Sequence, residues 1–329
     1  MKRYTILALL AGLAAVTALV VWQGAEEVAR AFRELGFGIL LLLPVYFLHL
    51  AISVVSFRYL FPAYQIPALI PLFNALWIGG AVNTVFPVAQ VGGEAVKARV
   101  LHYYGSSGPV AACGALADTT VAALSLALWG FVGVGSLFYL GVDPKVAAGV
   151  LAGVAAFSAG VFAFFVLQRI GAVGFLAKFV SRISGTKGWG TMVDNVKDVD
   201  VAVREVYGDQ IRFWWSVFVR LLARFAMSLE VWLAAYLMGH PIGLIEAFMF
   251  RSLIATVRGA AFFVPQGLGV QEAAFIVLGG LVGVPPGIAL SISLATRVRE
   301  LIESFTGILL WQHLEGKSLW ALFRNGKQG

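Results

Sequence analysis

Two stretches decide how this chain is read: PALIPLFNALWIGGAVNTVFPVAQVGGEAVKARVLHYYG, residues 67–105, and EAFMFRSLIATVRGAAFFVPQGLGVQEAAFIVLGGLVG, residues 246–283. Each is apolar enough to enter a bilayer, and each is broken in its middle by Pro and Gly. Neither reads as a plain span. Each reads as two short helices meeting at a Gly-rich break, a re-entrant hairpin that enters and leaves on one side. Non-helical backbone is tolerated at membrane depth only where protein buries it or water reaches it, so a cavity between the two breaks is implied.

The surroundings support a membrane setting. Charged residues make up 12% of the 329 and apolar ones 60%, against roughly 25% charged in an average soluble domain. The runs Tyr4 to Trp22, Leu35 to Phe57, Tyr59 to Gly93 and Val146 to Gln168 contain no Asp, Glu, Lys or Arg. A span needs about 20 such residues, so the chain is expected to be an all-α polytopic membrane protein. We expect a single integral domain over residues 1–329, with full spans near 4–22, 39–60, 110–138, 147–168, 211–238 and 287–312.

Lys2 and Arg3 precede the first run, and positive charge gathers in the polar stretch 169–212 and in the tail at Lys317, Arg324 and Lys327. Cytoplasmic loops concentrate Lys and Arg, which puts both termini in the cytoplasm. The net charge of +7 is therefore read as topology, with no nucleic acid as partner. The single Cys113 cannot form an internal disulfide, and His49, His102, His240 and His313 offer no metal-ligand spacing. No metal or cofactor is expected.

Aligning Pro87 with Pro265 places Glu94-Ala95 on Glu272-Ala273 and Leu116-Ala117 on Leu294-Ala295 without a gap. Chance similarity among common residues is the alternative to a duplication. Read as a duplication, it gives a first repeat over about 39–138 and a second over about 211–312, joined by an amphipathic cytoplasmic linker over about 169–210. An odd number of spans separates the two hairpins, so the repeats would be inverted. The hairpins would then enter from opposite sides and meet near the midplane, as in secondary transporters.

Charges at membrane depth are costly, roughly 2.5–3.5 kcal/mol each on insertion scales, and face partners or water. The first half supplies Glu94, Lys97, Arg99 and Asp118; the second supplies Arg220, Arg224, Glu230, Arg251, Arg258, Glu272, Arg297, Arg299, Glu300 and Glu303. The second half carries the cationic excess, all of it Arg, whose planar fork suits phosphate. Arg251, Arg258, Arg297 and Arg299 are the candidate substrate-binding residues. Arg251 and Arg258, two turns apart with no acid between them, need a counter-ion, either Glu272 or an anionic headgroup. A self-neutralising lattice of Arg297 with Glu300 and Arg299 with Glu303 is the competing reading for the last span.

Glu94 and Glu272 stand at matching positions after the two breaks. Helix capping and a cavity role both account for them. Asp118 is expected to be buried against Lys97, Arg99 or water. With Glu300 these acids are the candidate cavity or gating carboxylates, alongside the break glycines Gly92, Gly93, Gly267 and Gly269. Gly79 and Gly80 are read as packing residues. Arg220, with Arg224 one turn on, is read as snorkelling to lipid phosphate. Trp22, Trp129, Trp214, Trp215 and Trp311 are read as interface anchors, and segment 172–183 as lying on anionic lipid.

VAQVGGE at 88–94, GLGVQEA at 267–273 and ATRVRELIES at 295–304 followed by WQ at 311–312 carry a family likeness. They resemble the flippase-like membrane family that includes the transmembrane part of lysylphosphatidylglycerol synthases, and most closely its hopanoid-biosynthesis-associated branch. The likeness covers roughly residues 35 to 312. It implies lipid handling in a bacterial cytoplasmic membrane. The synthases carry a soluble aminoacyl-transferase domain after the membrane part, and the sequence ends at Gly329, so their synthase activity is not carried over.

No nucleophile, base and orienting acid form a recognisable catalytic set, and a non-enzyme is expected. The expected function is a lipid transporter or flippase-like protein that moves an amphipathic lipid, anionic or hopanoid-related, between leaflets through the central cavity. Membrane lipid is its expected partner. Two other readings are a scaffold that holds lipid-synthesis enzymes through the 169–212 loop, and a carrier for a small anionic solute; a homodimer is a further expected partnership.

Overall fold

The structure, a computed structural model, describes residues 36–85, 92–169, 196–261 and 264–325. Those residues contain ten α-helices, two short 3-10 helices and no strand. After a 3-10 turn at Gly36–Leu41 come α1 (Leu42–Arg58), α2 (Leu69–Val85), α3 (Gly92–Tyr103), α4 (Gly108–Tyr139) and α5 (Pro144–Arg169). Then follow α6 (Val196–Gly208), α7 (Gln210–Leu237), α8 (Leu244–Ala260), the 3-10 turn Pro265–Gly267, α9 (Val270–Leu281) and α10 (Pro286–Asn325). The expected first span at 4–22, the segment 172–183 and the first break at Pro87 lie outside the described residues.

Among the described residues, three helical segments are long and apolar enough to cross a membrane: Gly36–Arg58, Gly108–Tyr139 and Pro144–Val166. They match the spans expected near 39–60, 110–138 and 147–168. The helices expected at 211–238 and 287–312 are present as α7 and α10, of 28 and 40 residues, but their charged residues keep them out of that apolar class. On α7 the buried face is Phe213, Ser216, Val217, Arg220, Ala223, Met227, Glu230 and Val231, while Trp214, Trp215, Phe218 and Leu222 are exposed. Large apolar groups outside and charges inside reverse the pattern of a helix in water. This is the pattern of a helix among lipids.

Each of the two broken stretches holds a helix of 17 residues followed by one of 12: α2 then α3, and α8 then α9. Their neighbours also correspond. The long helix α4 packs on α3 of its own half and on α8 of the other, while α10 packs on α9 and on α2. Both contacts between halves are made through glycine. A Cβ at Gly130 or Gly133 would run into Thr256 or Ser252 and Leu253 of α8, and one at Gly307 would stand 2.6 Å from the Ala81 Cβ of α2. Small residues let helix backbones approach where no hydrophobic drive brings them together.

The core is divided in two, and the long helices connect the halves. One cluster joins α1, α2, α3 and α6 to Val110–Leu124 of α4, Phe213–Met227 of α7 and Leu301–Leu314 of α10. The other joins α5, α8 and α9 to Val134 and Leu137 of α4, Val231–Ala235 of α7 and Ala289–Val298 of α10. The first hairpin therefore sits at the N-terminal ends of α4 and α7 and at the C-terminal end of α10. The second sits at their opposite ends. The long helices carry buried charges, Asp118 and Arg220 within the stretches of the first cluster, Glu230 and Arg299 between the two clusters.

The stretch expected to be a linker over 169–210 closes with α6, which is part of the bundle. Val199, Ala202, Val203, Val206 and Tyr207, one helical face, are buried where α6 packs on α4.

Candidate functional site

The site begins where the two hairpins touch. A helix ending leaves its last four carbonyls without partners, and α2 ends at Val85 inside the bundle. Gln266, on the turn of the other hairpin, supplies them: its side-chain amide donates to the Asn83 carbonyl at 2.9 Å and the Thr84 carbonyl at 2.8 Å. Asn83 in turn accepts the Gly93 N–H through its side-chain oxygen at 2.8 Å, satisfying the start of α3. The turn that presents Gln266 is built from Pro265, Gln266, Gly267, Leu268 and Gly269, three of which have positive φ (53°, 60° and 74° for Gln266, Gly267 and Gly269). Only Gly adopts this region without cost, so Gln266 is held there by its neighbours. Its carbonyl and that of Gly267 accept from Arg297 at 3.5 and 3.2 Å.

Around this junction lie two ion-pair networks. In the first, Lys97 bridges Glu94 at 2.9 Å and Asp118 at 2.7 Å. Arg220 closes on the other oxygen of Asp118 and on Ser56. Ser56 and Ser216 exchange hydroxyl-to-carbonyl bonds of 2.8 and 2.9 Å, which pins α1 to α7 where Arg220 leaves its helix. Gly79 makes room for Lys97, whose Cγ would be 2.5 Å from a Cβ there.

In the second network Arg299 is the centre. Its Nε is 2.5 Å from Glu230, its Nη1 2.7 Å from Glu303 and its Nη2 3.8 Å from Glu300. The guanidinium stands 5.2 Å from the centre of the Tyr46 ring, within cation–π range. Arg251 reaches the second oxygen of Glu230 at 3.6 Å, and Arg258 pairs with Glu300 at 3.0 Å and donates to Gln271 at 2.8 Å. Arg297 grips Glu272 with Nε and, at 3.0 Å, with Nη2. Glu272 also accepts the Gly269 N–H at 2.9 Å.

These charges are not sealed. The side chains of Arg251, Arg258, Glu94 and Glu272 remain 20–24% exposed, whereas Asp118 and Glu230 are closed off. The closed ones tie the long helices together, Asp118 of α4 to Arg220 of α7 and Glu230 of α7 to Arg299 of α10.

The profile of the lysylphosphatidylglycerol synthase TM region matches residues 9–305. The chain belongs to this family. It is accordingly a multi-pass membrane protein of lipid-related processes. No curated protein and no solved structure matches it.

Asp118 is buried against Lys97 as expected, but its second partner is Arg220; Arg99 turns away to Glu315 at 2.5 Å. The lattice along α10 forms only in part: Arg299 pairs with Glu303, while Arg297 pairs with Glu272 of α9 in place of Glu300. Arg251 and Arg258 find their counter-ions in Glu230 and Glu300, not in Glu272. Glu272 both caps its helix and holds Arg297.

Three expectations need correction. Arg220 does not snorkel to lipid; it is buried on Asp118. Trp129 is no interface anchor: it is fully buried, edge-on to Phe225 and Phe248 with ring centroids 4.6 and 6.2 Å away. Gly93 is a packing residue, since a Cβ there would overlap the Gly79 carbonyl and Asn83; Gly92 begins α3 beside it, with Val82 alone within 4 Å of its Cβ position among the described residues. Gly267 is buried beside the Arg258 stem, and Gly269 stands in the open at the start of α9. Sequence reasoning missed Gln266, Gln271, Asn83 and Tyr46. A polar amide inside an apolar broken stretch was the available signal for the first three.

Proposed function

We propose that the protein is a lipid transporter of the flippase kind, which moves an amphipathic lipid, anionic or hopanoid-related, between the leaflets of the bacterial cytoplasmic membrane. The observation that carries this reading is the junction of the two hairpins. They approach from opposite ends of α4, α7 and α10, meet through Gln266 on Asn83 and Thr84, and border partly accessible charges. A path open to one side at a time is what such a junction provides when one half rocks against the other.

In this reading the two halves are inverted repeats, with matched 17- and 12-residue helices. Residues 4–22 add the sixth crossing, both hairpins are re-entrant, and both termini are cytoplasmic. Arg251, Arg258, Arg297 and Arg299 draw the anionic group toward the junction, while Glu94, Glu272, Asp118 and Glu300 exchange partners with them as the path opens. Gly267 and Gly269 give the turn its bend. The protein performs no covalent chemistry in this scheme.

The test is leaflet redistribution of labelled lipids in proteoliposomes, for wild type, Arg258→Ala and Glu272→Gln. Accelerated movement that both substitutions remove is the expected result. If no lipid moves with folded wild-type protein, the reading fails and the scaffold or solute-carrier reading replaces it.

A further inference from the structure

Arg299 of α10 holds three carboxylates, and they are not held alike. Its Nε donates to Glu230 of α7 at 2.5 Å, its Nη1 stands 2.7 Å from Glu303 Oε2 and its Nη2 3.8 Å from Glu300 Oε1. Two of these acids have a second arginine: Glu230 meets Arg251 at 3.6 Å, and Glu300 meets Arg258 at 3.0 Å. Glu303 has no other cation within 4.0 Å among the described residues. Its contact with Arg299 is one of charge alone, because its buried Oε2 accepts no hydrogen bond among the described residues. The Glu303 side chain is 10% exposed, so bulk water does little to compensate that oxygen.

The elements packed on α10 bring the following titratable groups to this cluster. From α2 there is none, and its Trp77 donates to the backbone carbonyl of Glu303 at 3.1 Å, leaving the carboxylate alone. From α9 comes Glu272, held by Arg297. From α7 comes Glu230, while Arg220 and Arg224 of the same helix are bonded to α4. From α1 come Tyr46, which faces Glu303 and sets its ring 5.2 Å from the Arg299 guanidinium, and His49, whose Nδ1 is committed to the Ala223 carbonyl at 2.8 Å.

The three acids differ in what a proton on them would leave behind. Neutralising Glu230 strands Arg251, and neutralising Glu300 strands Arg258, each without another carboxylate among the described residues; a cation so stranded is costly. Neutralising Glu303 strands nothing, since Arg299 keeps Glu230 and has Glu300 at 3.8 Å. Arg299 and Arg258 address one and the same atom, Glu300 Oε1. A turn of Arg299 onto that oxygen therefore loosens the hold on Arg258, whose side chain is 24% exposed. The six groups Glu230, Glu300, Glu303, Arg251, Arg258 and Arg299 then pass from neutral to one positive charge in excess.

We propose that Glu303 binds a proton taken from water, and that its neutral form turns Arg299 onto Glu300 and releases Arg258 to the phosphodiester of an anionic lipid headgroup. This rests on the lipid-transport reading and deepens it: the proton is a second ligand of the same site, and a proton gradient is the energy source it can draw on. Linkage makes the effect reciprocal, so protonation tightens headgroup binding and headgroup binding takes up a proton. Affinity for the headgroup rises as pH falls, by up to about tenfold per pH unit for one linked proton.

The test uses purified full-length protein in a non-ionic detergent. Infrared difference spectra between high and low pH, without lipid, are expected to show a carboxylic-acid C=O band that Glu303→Gln removes, Glu303→Asp shifts and Glu300→Gln leaves in place. Spectra unchanged by Glu303→Gln overturn the proton site. Apparent affinity for dihexanoylphosphatidylglycerol, read from the unfolding midpoint, is expected to rise as pH falls, while dihexanoylglycerol leaves the midpoint unchanged. In Glu303→Gln that affinity stays at its low-pH value at every pH. Glu300→Gln, which frees Arg258 outright, also binds tightly but keeps the Glu303 band. Wild-type binding indifferent to pH, with the Glu303 band present, overturns the coupling to Arg258. No binding at any pH, with that band present, upholds the proton site and refutes the lipid reading.

Discussion

Replacing Gln266 isolates the contact between the hairpins. Its amide makes two bonds, to Asn83 and Thr84, each contributing about 1 kcal/mol net. Gln266→Ala therefore costs about 2 kcal/mol, with more if water fails to reach the two freed carbonyls. The backbone offers an internal control, because Gln266 has φ 53°. A non-glycine residue in that region costs roughly 1–2 kcal/mol, which Ala retains and Gly escapes. Gln266→Gly should thus be less destabilised than Gln266→Ala by about 1 kcal/mol, even though both lose the amide. Reversible denaturant unfolding in mixed micelles measures the differences, and hydrogen exchange across 80–93 should locate them at the end of α2. Alanine at wild-type stability would refute the latch. Alanine equal to glycine would refute the backbone part of the argument.

Asp118→Asn leaves Arg220 without its carboxylate and Lys97 with only Glu94, and is expected to cost about 3–5 kcal/mol, as for other buried pairs broken on one side; the same unfolding assay checks it. Gly93→Ala drives a methyl into the Gly79 carbonyl and should lose about 1–3 kcal/mol, whereas Gly80→Ala, with nothing within 4 Å, should be neutral or gain up to about 1 kcal/mol from helix propensity. Trp129→Ala empties a buried site and should cost about 3–5 kcal/mol, while Trp214→Ala, on an exposed face, should leave the unfolding midpoint within about 0.5 kcal/mol. Equal effects at the two tryptophans would contradict the assignment of one to the core and the other to the bilayer face.

How much was legible in the sequence depends on the range of the interaction. The broken helices were legible, because Pro265, Gly267 and Gly269 interrupt helix formation within a few residues of themselves. So was the burial of Asp118, since a lone acid among apolar neighbours has nowhere else to go at membrane depth. The i to i+4 pair of Arg299 and Glu303 followed from helical geometry alone. Arg297 shows the limit: its local partner Glu300 was in reach by spacing, yet Glu272 of α9 holds it, because the packing of α9 on α10 brings that carboxylate closer.

The sequence by itself determined that this is a membrane-embedded helical chain with two interrupted stretches and a store of charge inside it. Those properties are set by composition and by spacings of one or two turns. Tertiary structure alone decided which charges neutralise each other, that Arg220 and Trp129 face inward, that Gln266 closes the end of a helix in the other half, and that Arg224 has no acid partner among the described residues. Each of these depends on contacts between residues about 20 to more than 180 positions apart. At that range the close approach of helices at Gly130, Gly133 and Gly307 sets the partner, and the local pattern carries no information about it.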